Sequence, residues 1–291
     1  MRRWLLLAAV FVAPVAVFAA MVAADHYIAT SQPAREYVLR IELAPAGEIG
    51  LPKVEGPLDA SRPLVVIDAG HGGHDPGAGN GAKSEKNLTL ALAQALRAQL
   101  LAKGGIRVAL TRDDDRYLAL EERSGIARRL KADLFLSIHA DSAETPTASG
   151  ATIYTLSSRG SSDEASRIAM RENGADSING VALRQTSSDV SAILVDLSQR
   201  RTGQLSDEFA QLILREGQGR IIFRERPVQS AAFVVLKSAD LPSVLFEAGY
   251  ISNDRDASRL ASAAGRKSFA ELTAQAIRVY FARQLEQVPV G

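Results

Sequence analysis

No cysteine occurs anywhere in the 291 residues, which excludes a disulfide scaffold, a thiolate zinc site, an iron–sulfur cluster and a cysteine nucleophile. Histidine is almost as scarce. The four are His26, His71, His74 and His139, so a metal must be held by a choice among these together with Asp or Glu. An excess of one charge is missing as well: Lys and Arg number 34 against 33 Asp and Glu, a net +1. Without a basic field to drive counterion release, nucleic acid is not an expected partner. What is present, 46% hydrophobic and 23% charged residues, is the composition of a packed globular protein and not of a disordered, collagenous or coiled-coil chain. The length admits one large domain with appendages.

Long apolar runs are confined to the start. After Arg2 and Arg3, an uncharged stretch from Trp4 to Ala24 has the layout of a signal peptide, with small residues permitting cleavage after Ala19 or Ala24. The alternative is an uncleaved anchor, since the run is long enough to cross a bilayer although Pro14 interrupts it. Residues 1–24 are therefore a signal peptide or membrane anchor, membrane contact is expected only if they are retained, and either form takes the rest of the chain out of the cytoplasm. Residues 25–62 carry Pro33, Pro45, Pro52 and Pro57 among charged residues and read as a linker, with only Tyr37 to Leu43 extended.

Beyond Pro63, strand and helix alternate. Leu64 to Ile67 is a short buried-type strand, and Leu88, Leu92, Leu96 and Leu100 mark one face of a helix. Ile106 to Leu110, Leu134 to Ile138, Ala151 to Leu156, Phe233 to Leu236 and Val244 to Phe246 read as further strands. Ala119 to Leu130 and Phe269 to Leu285 read as helices. This alternation predicts an α/β fold, a single domain over 63–285 with a mixed, mostly parallel sheet flanked by helices on both faces, and a short tail at 286–291. About 75 residues between Leu156 and Phe233 exceed an ordinary connection, so 157–230 is expected to be a helical insertion before the last two strands. Ser161 with Glu164 makes a capping box for a helix over Ser162 to Glu172 that stops at Asn173-Gly174. A longer helix follows from Asp189 to Glu216.

Candidate chemistry gathers at strand ends. Asp68-Ala69-Gly70-His71-Gly72-Gly73 runs from a strand into a glycine-rich turn, and His139 ends the strand Leu134 to Ile138. Open α/β sheets bind ligands at such places. Phosphate cradling is the rival use of the glycines, but no Gly-Lys-Ser/Thr follows. Each histidine alone reads as structural; the pair at matching positions reads equally well as two metal ligands. Glu85, in a first helical turn, could supply a third ligand or merely complement the helix dipole. Glu247 ends the last strand after an apolar run, where a buried carboxylate needs a metal, a hydrogen bond or a salt bridge. His74 and Asp75 are spare ligand candidates, and Asp68 reads as a hydrogen-bonding buttress of the loop.

Asp68 to Gly73, Ser84-Glu85-Lys86-Asn87-Leu88, Ser137 to Asp141 and Glu247-Ala248-Gly249-Tyr250-Ile251-Ser252-Asn253 stand in the order and context of the zinc N-acetylmuramoyl-L-alanine amidases. From about Pro63 to Leu285 the chain resembles that family, and with its long insertion it is most similar to the cell-division amidases of Gram-negative bacteria. Ala69 in place of the frequent Pro, and Tyr250 in place of Phe, depart from the pattern. The resemblance implies a periplasmic peptidoglycan hydrolase that cuts the amide between N-acetylmuramic acid and L-alanine in wall remodelling and daughter-cell separation. It implies one Zn²⁺ on His71, Glu85 and His139, with Glu247 as catalytic acid/base. It also implies an inhibitory helix in the insertion, with Glu172 its best-placed glutamate and Glu164 or Asp176 as alternatives, displaced by an activator with a LytM-type domain. A non-catalytic, zinc-containing peptidoglycan-binding protein is the alternative in another class.

Overall fold

The computed structural model describes residues 12–13, 15–24, 27, 50–79, 84–143, 147–178, 181–182, 192–238 and 240–286. The chain divides into two units, 1–49 and 50–291. In the first, residues 12–13, 15–24 and 27 are helical and exposed. Trp4 to Phe11 of the apolar run and the Tyr37 to Leu43 stretch lie outside the described residues. Among the described residues no helix is long and apolar enough to cross a membrane.

The second unit is built on a six-stranded sheet in the order β2-β1-β3-β8-β4-β7. Its strands are β1 (Leu64–Ala69), β2 (Arg107–Leu110), β3 (Leu134–Asp141), β4 (Ala151–Leu156), β7 (Phe223–Ala231) and β8 (Ser243–Tyr250); a separate two-stranded ribbon is β5 (Ser177–Ile178) with β6 (Val181–Ala182). The first four strands in that order run parallel, β4 joins β8 antiparallel, and β7 lies parallel to β4. Every residue of β1, β3 and β8 is buried, as expected of central strands covered on both sides. Helices α1 (Glu85–Lys103), α4 (Ala192–Gly217), α5 (Asp254–Ala261) and α6 (Ala263–Glu286) contribute to a core on one face, where Leu92, Leu96 and Leu100 meet Ile67, Leu136, Phe246 and Ile277. On the other face α2 (Leu120–Arg129) and α3 (Asp163–Asn173) cover Val66, Phe135, Tyr154 and Leu245.

The period of two along a strand then decides where the polar residues go. Asp68 shares a face with Val66, Ser137 and His139 with Phe135, Glu247 with Leu245, and Thr152 with Tyr154. Register pairs His139 with Glu247 and Glu247 with Thr152. All of them therefore gather under α2 and α3 at one end of the sheet.

Two local expectations are corrected. Phe233 to Leu236 is not a strand: Val234–Leu236 is a 3₁₀ turn whose Val235 and Leu236, with Phe233, pack into the α2–α3 core. The strand is β7, hidden in the sequence by Arg224, Glu225, Arg226 and Pro227, which an edge strand tolerates. Its register against β4 jumps from Ala151↔Phe223 to Ile153↔Val228, placing Pro227 in the irregularity. The cap of α3 is Ser162, whose Oγ accepts from the Ala165 amide at 3.0 Å, while Ser161 Oγ instead accepts from the Ser230 amide at 3.0 Å. The second unit takes in residues ahead of Pro63 as well. Glu55 exchanges backbone hydrogen bonds with Val108 at 2.8 and 2.9 Å, which docks the last part of the expected linker on β2.

Candidate active site

β1 leaves the sheet at Gly70, whose amide still donates to the Ile138 carbonyl at 3.0 Å. A Cβ on Gly70 would stand 2.5 Å from the His139 ring, so only glycine lets the two strand ends approach this closely. His71 follows with φ 62°, a left-handed conformation uncommon for a residue with a side chain. The next residues form a tight turn in which Gly72 and Asp75 exchange backbone hydrogen bonds at 3.0 and 3.1 Å. The turn returns Asp75 Oδ2 to 2.7 Å from His71 Nδ1, which orients the imidazole with Nε2 toward the centre. Gly77 has φ 63°, and a Cβ there would meet both Glu85 and His71 within 2.7 Å.

Glu85 stands in the first turn of α1 with its carboxylate aimed back at the sheet. Its Oε1 accepts from the Ala140 amide at 2.9 Å and its Oε2 from the Ala78 amide at 3.0 Å. Oε2 lies 3.1 Å from His71 Nε2 and Oε1 3.1 Å from His139 Nδ1. A fourth group, Glu172 from α3, completes the cluster, its Oε2 3.3 Å from His71 Nε2 and 3.2 Å from His139 Nδ1. Ligands at ~2.0–2.1 Å around a tetrahedral ion are about 3.3 Å apart; these four separations are close to that, and one ligand atom from each residue lies within 4.8 Å of the others.

The electrostatics call for a cation. All four groups are buried. Burial opposes charge on His71 and His139, yet Glu85 and Glu172, with Asp75 on His71, raise them to about 12 and about 10. Burial likewise opposes charge on Glu85, but the two imidazoles hold it well below the usual carboxylate range. Two carboxylates thus demand two positive charges, which one divalent ion supplies. His71 Nε2 and Glu172 Oε2 also lack a hydrogen-bond partner, as atoms reserved for a metal would.

Glu247 is a different kind of carboxylate. It is 1% exposed and neither oxygen has a hydrogen-bond partner. Burial first, and then the nearby Asp141 charge, push its pKa well above the ordinary value. The Thr152 and Tyr154 hydroxyls of the adjoining strand are buried and unpartnered too. Glu247 and Thr152, paired in register, thus leave unmet polar valence beside the cluster.

α3 closes over it. Ala165, Ile168 and Ala169 bury into the sheet face, and Arg171 ion-pairs with Asp141 and donates to the Ser142 carbonyl at 2.9 Å. Asn173 clasps the far wall, donating to the Ala232 carbonyl and accepting from the Val234 amide, both at 2.8 Å.

His71, Glu85, His139 and Glu172 therefore converge, with Glu247 beside them. His74 is exposed, its ring 4.2 Å from that of Tyr117, away from the quartet. Asp75 orients His71 and is not itself in the cluster. Asp68 buttresses the loop, accepting from Thr111 at 2.6 Å, Arg123 at 3.0 Å and Ser137 at 2.7 Å. Glu164 faces away, paired with Arg224 at 2.5 Å; the Asp176 side chain lies outside the described residues. Sequence reasoning missed Arg171 and Asp141 as partners, and no local pattern marks them, because 30 residues separate them.

Comparison with known proteins agrees with this geometry. The family model described as N-acetylmuramoyl-L-alanine amidase, Amidase_3, matches residues 65–279. N-acetylmuramoyl-L-alanine amidase AmiA of Salmonella typhimurium is 39% identical over 223 residues, 76% of this chain and 77% of that protein. AmiC of Escherichia coli O6:H1 is 32% identical over 285 residues, 93% of this chain and 67% of its own. Among solved structures, amidase AmiC2 of Nostoc punctiforme superposes with a TM-score of 0.54 at 29% identity, covering 76% of this chain and 98% of that one. Because the matched span runs from β1 into α6 and so contains every residue of the buried quartet, the chain belongs to the N-acetylmuramoyl-L-alanine amidase family.

Proposed function

We propose that this chain is a peptidoglycan hydrolase that cleaves the amide between the lactyl group of N-acetylmuramic acid and L-alanine of the stem peptide, with Zn²⁺ as its metal. The observation that carries the reading is the buried quartet, its ligand atoms within 4.8 Å of one another, with an unpartnered Glu247 in register beside His139. His71, Glu85 and His139 are the resident ligands, two His and one Glu being a set that suits zinc and leaves a position open. Zinc there would polarise the scissile carbonyl and acidify a water molecule. The protein's own groups do the rest. Asp75 and the Ala78 and Ala140 amides orient His71 and Glu85. Glu247 accepts the water proton on its carboxylate and returns it to the departing amine of L-alanine. Burial raises the pKa of that carboxyl, which suits a group that must both take up and return a proton.

Glu172 fills the position that a catalytic centre keeps free, so α3 in this place is inhibitory. Relief requires a partner that pulls α3 away, for which an activator with a LytM-type domain is the candidate carried over from the resembling amidases. The apolar opening segment and a wall substrate together support action in the periplasm, and the division-amidase likeness supports a role in daughter-cell separation.

One observation favours a second reading. Four protein ligands make a closed set, as in structural zinc sites, which would suit a non-catalytic peptidoglycan-binding protein. Digestion of purified sacculi by wild type and Glu172→Ala, with and without chelator, separates the two. The amidase releases stem peptides with a new L-alanine amino terminus, and chelator abolishes the release. Folded, zinc-loaded Glu172→Ala protein that binds sacculi and frees no such peptide would establish the binding protein.

A further inference from the structure

Two arginines outside the proposed chemistry are among the most deeply buried side chains in the protein, Arg112 at 0% and Arg123 at 2% exposure. A buried guanidinium is costly unless its donors are used, and here most of them go to backbone carbonyls, those of Ala69, Gly70, His71 and Lys86 among them. Arg112 Nε donates to the Ala69 carbonyl at 2.8 Å and Nη1 to that of Asp114 at 3.0 Å. Its Nη2 donates to Gly70 at 2.9 Å and to Lys86 at 2.8 Å. No carboxylate is among these acceptors. Arg123 donates to the carbonyls of Leu118 at 3.0 Å, Ala69 at 2.8 Å and His71 at 2.9 Å, and pairs with Asp68 at 3.0 Å.

The acceptors flank the metal-binding residues. Gly70 precedes His71 and Lys86 follows Glu85, so a single nitrogen of Arg112 bridges the strand end that carries one ligand to the helix start that carries another. Thr89, one turn after Glu85, closes the same joint by donating from Oγ1 to the Gly70 carbonyl at 2.9 Å. Arg123 holds the carbonyl of His71 itself, whose left-handed backbone persists only if its surroundings impose it. We infer that Arg112 and Arg123 are positioning residues of the metal centre, a pair of guanidinium clamps that set the separation and aim of His71 and Glu85. The inference rests on the metal reading above. Lysine keeps the charge but cannot reproduce a planar fork with five donors, which makes it the informative replacement.

The test is zinc affinity of the full chain by chelator competition, with thermal unfolding of the zinc-free protein alongside. Arg112→Lys and Arg123→Lys should each bind zinc ~10- to 100-fold more weakly, the effect expected of groups that orient ligands. Thr89→Val, which leaves both arginines in place, should weaken it several-fold. Leu100→Ala, in the α1 core away from the joint, should lower the unfolding temperature and leave zinc affinity unchanged. Wild-type zinc affinity in the folded Lys variants would overturn the inference, as would an equal loss in Leu100→Ala. Should neither Lys variant fold, Thr89→Val decides, an unchanged affinity overturning it. Wild-type protein with no affinity for zinc would instead sink the metal reading itself.

Discussion

Replacing Glu172 by Ala tests whether α3 restrains the enzyme, and its expected size follows from what holds the helix down. The Glu172 carboxylate contacts both imidazoles, at 3.3 and 3.2 Å, inside a buried cluster. Its Oε2 has no hydrogen-bond partner, so the contact is one of charge; in a buried cluster the loss of such a partner costs on the order of 3 kcal/mol, a range of about 2–4 kcal/mol. At ~1.4 kcal/mol per factor of ten, removal would favour the open arrangement by roughly 30- to 1000-fold. The gain in rate will be smaller, since Ala165, Ile168 and Ala169 remain buried and Arg171 still grips Asp141. Arg171 is 46% exposed, so its pairing is screened and adds only the ~0–1 kcal/mol of a surface bridge. We expect basal turnover of dye-labelled sacculi, without activator, to rise at least ~10-fold in Glu172→Ala. In Glu172→Ala/Arg171→Ala it should rise further. If both variants fold, bind zinc and stay as inactive as wild type, restraint by this helix is refuted.

Glu247→Gln should keep its zinc and lose at least ~10²-fold in rate, the lower end of what a positioned base contributes; near-wild-type turnover would return Glu247 to a structural role. His71→Ala and His139→Ala should each lose stoichiometric metal while His74→Ala keeps it, as elemental analysis of the purified variants will show. Asp68→Asn leaves Arg123 buried without its carboxylate and should cost ~3–5 kcal/mol in denaturant unfolding. Although burial alone would raise the Asp68 pKa, Arg123, Thr111 and Ser137 lower it in the folded protein. Its contribution is therefore present above the unfolded value of ~3.9 and fades as pH falls through the folded value. The gap between wild type and Asp68→Asn should narrow below about pH 4; a gap unchanged down to pH 2 would show that the carboxylate charge is not what stabilises.

Much of this architecture was legible in the linear chain, for physical reasons that differ from part to part. Central strands covered on both faces must be apolar throughout, so Leu64 to Ile67, Leu134 to Ile138 and Val244 to Phe246 announced the sheet. A polar residue at the end of such a run is conspicuous, and His71, His139 and Glu247 stood out on that account. Helix α1 declared itself through leucines four apart, which put Glu85 in a first turn near the strand ends. Edge strand β7 was not legible, because an edge exposes one side to water and admits Arg224, Glu225 and Pro227 without penalty. The apolar Phe233 to Leu236 was misread because burial as a 3₁₀ plug and burial as a strand use the same residues.

What only the tertiary structure decided is which distant groups meet. By pattern alone Glu172 is one acid on an amphipathic helix, and only the family resemblance ranks it above Glu164. The docking of Ile168 onto the sheet face and the grip of Asn173 on Ala232 and Val234 turn Glu172 toward the imidazoles and leave Glu164 to Arg224. Asp75 likewise could have been a ligand until the Gly72–Asp75 turn brought it back to His71 Nδ1. Local pattern determines which face of each element is buried, through periods of 2 and 3.6. The rotation and approach of one element over another depend on contacts among residues far apart in the chain, and the coordination of this centre is a product of those contacts.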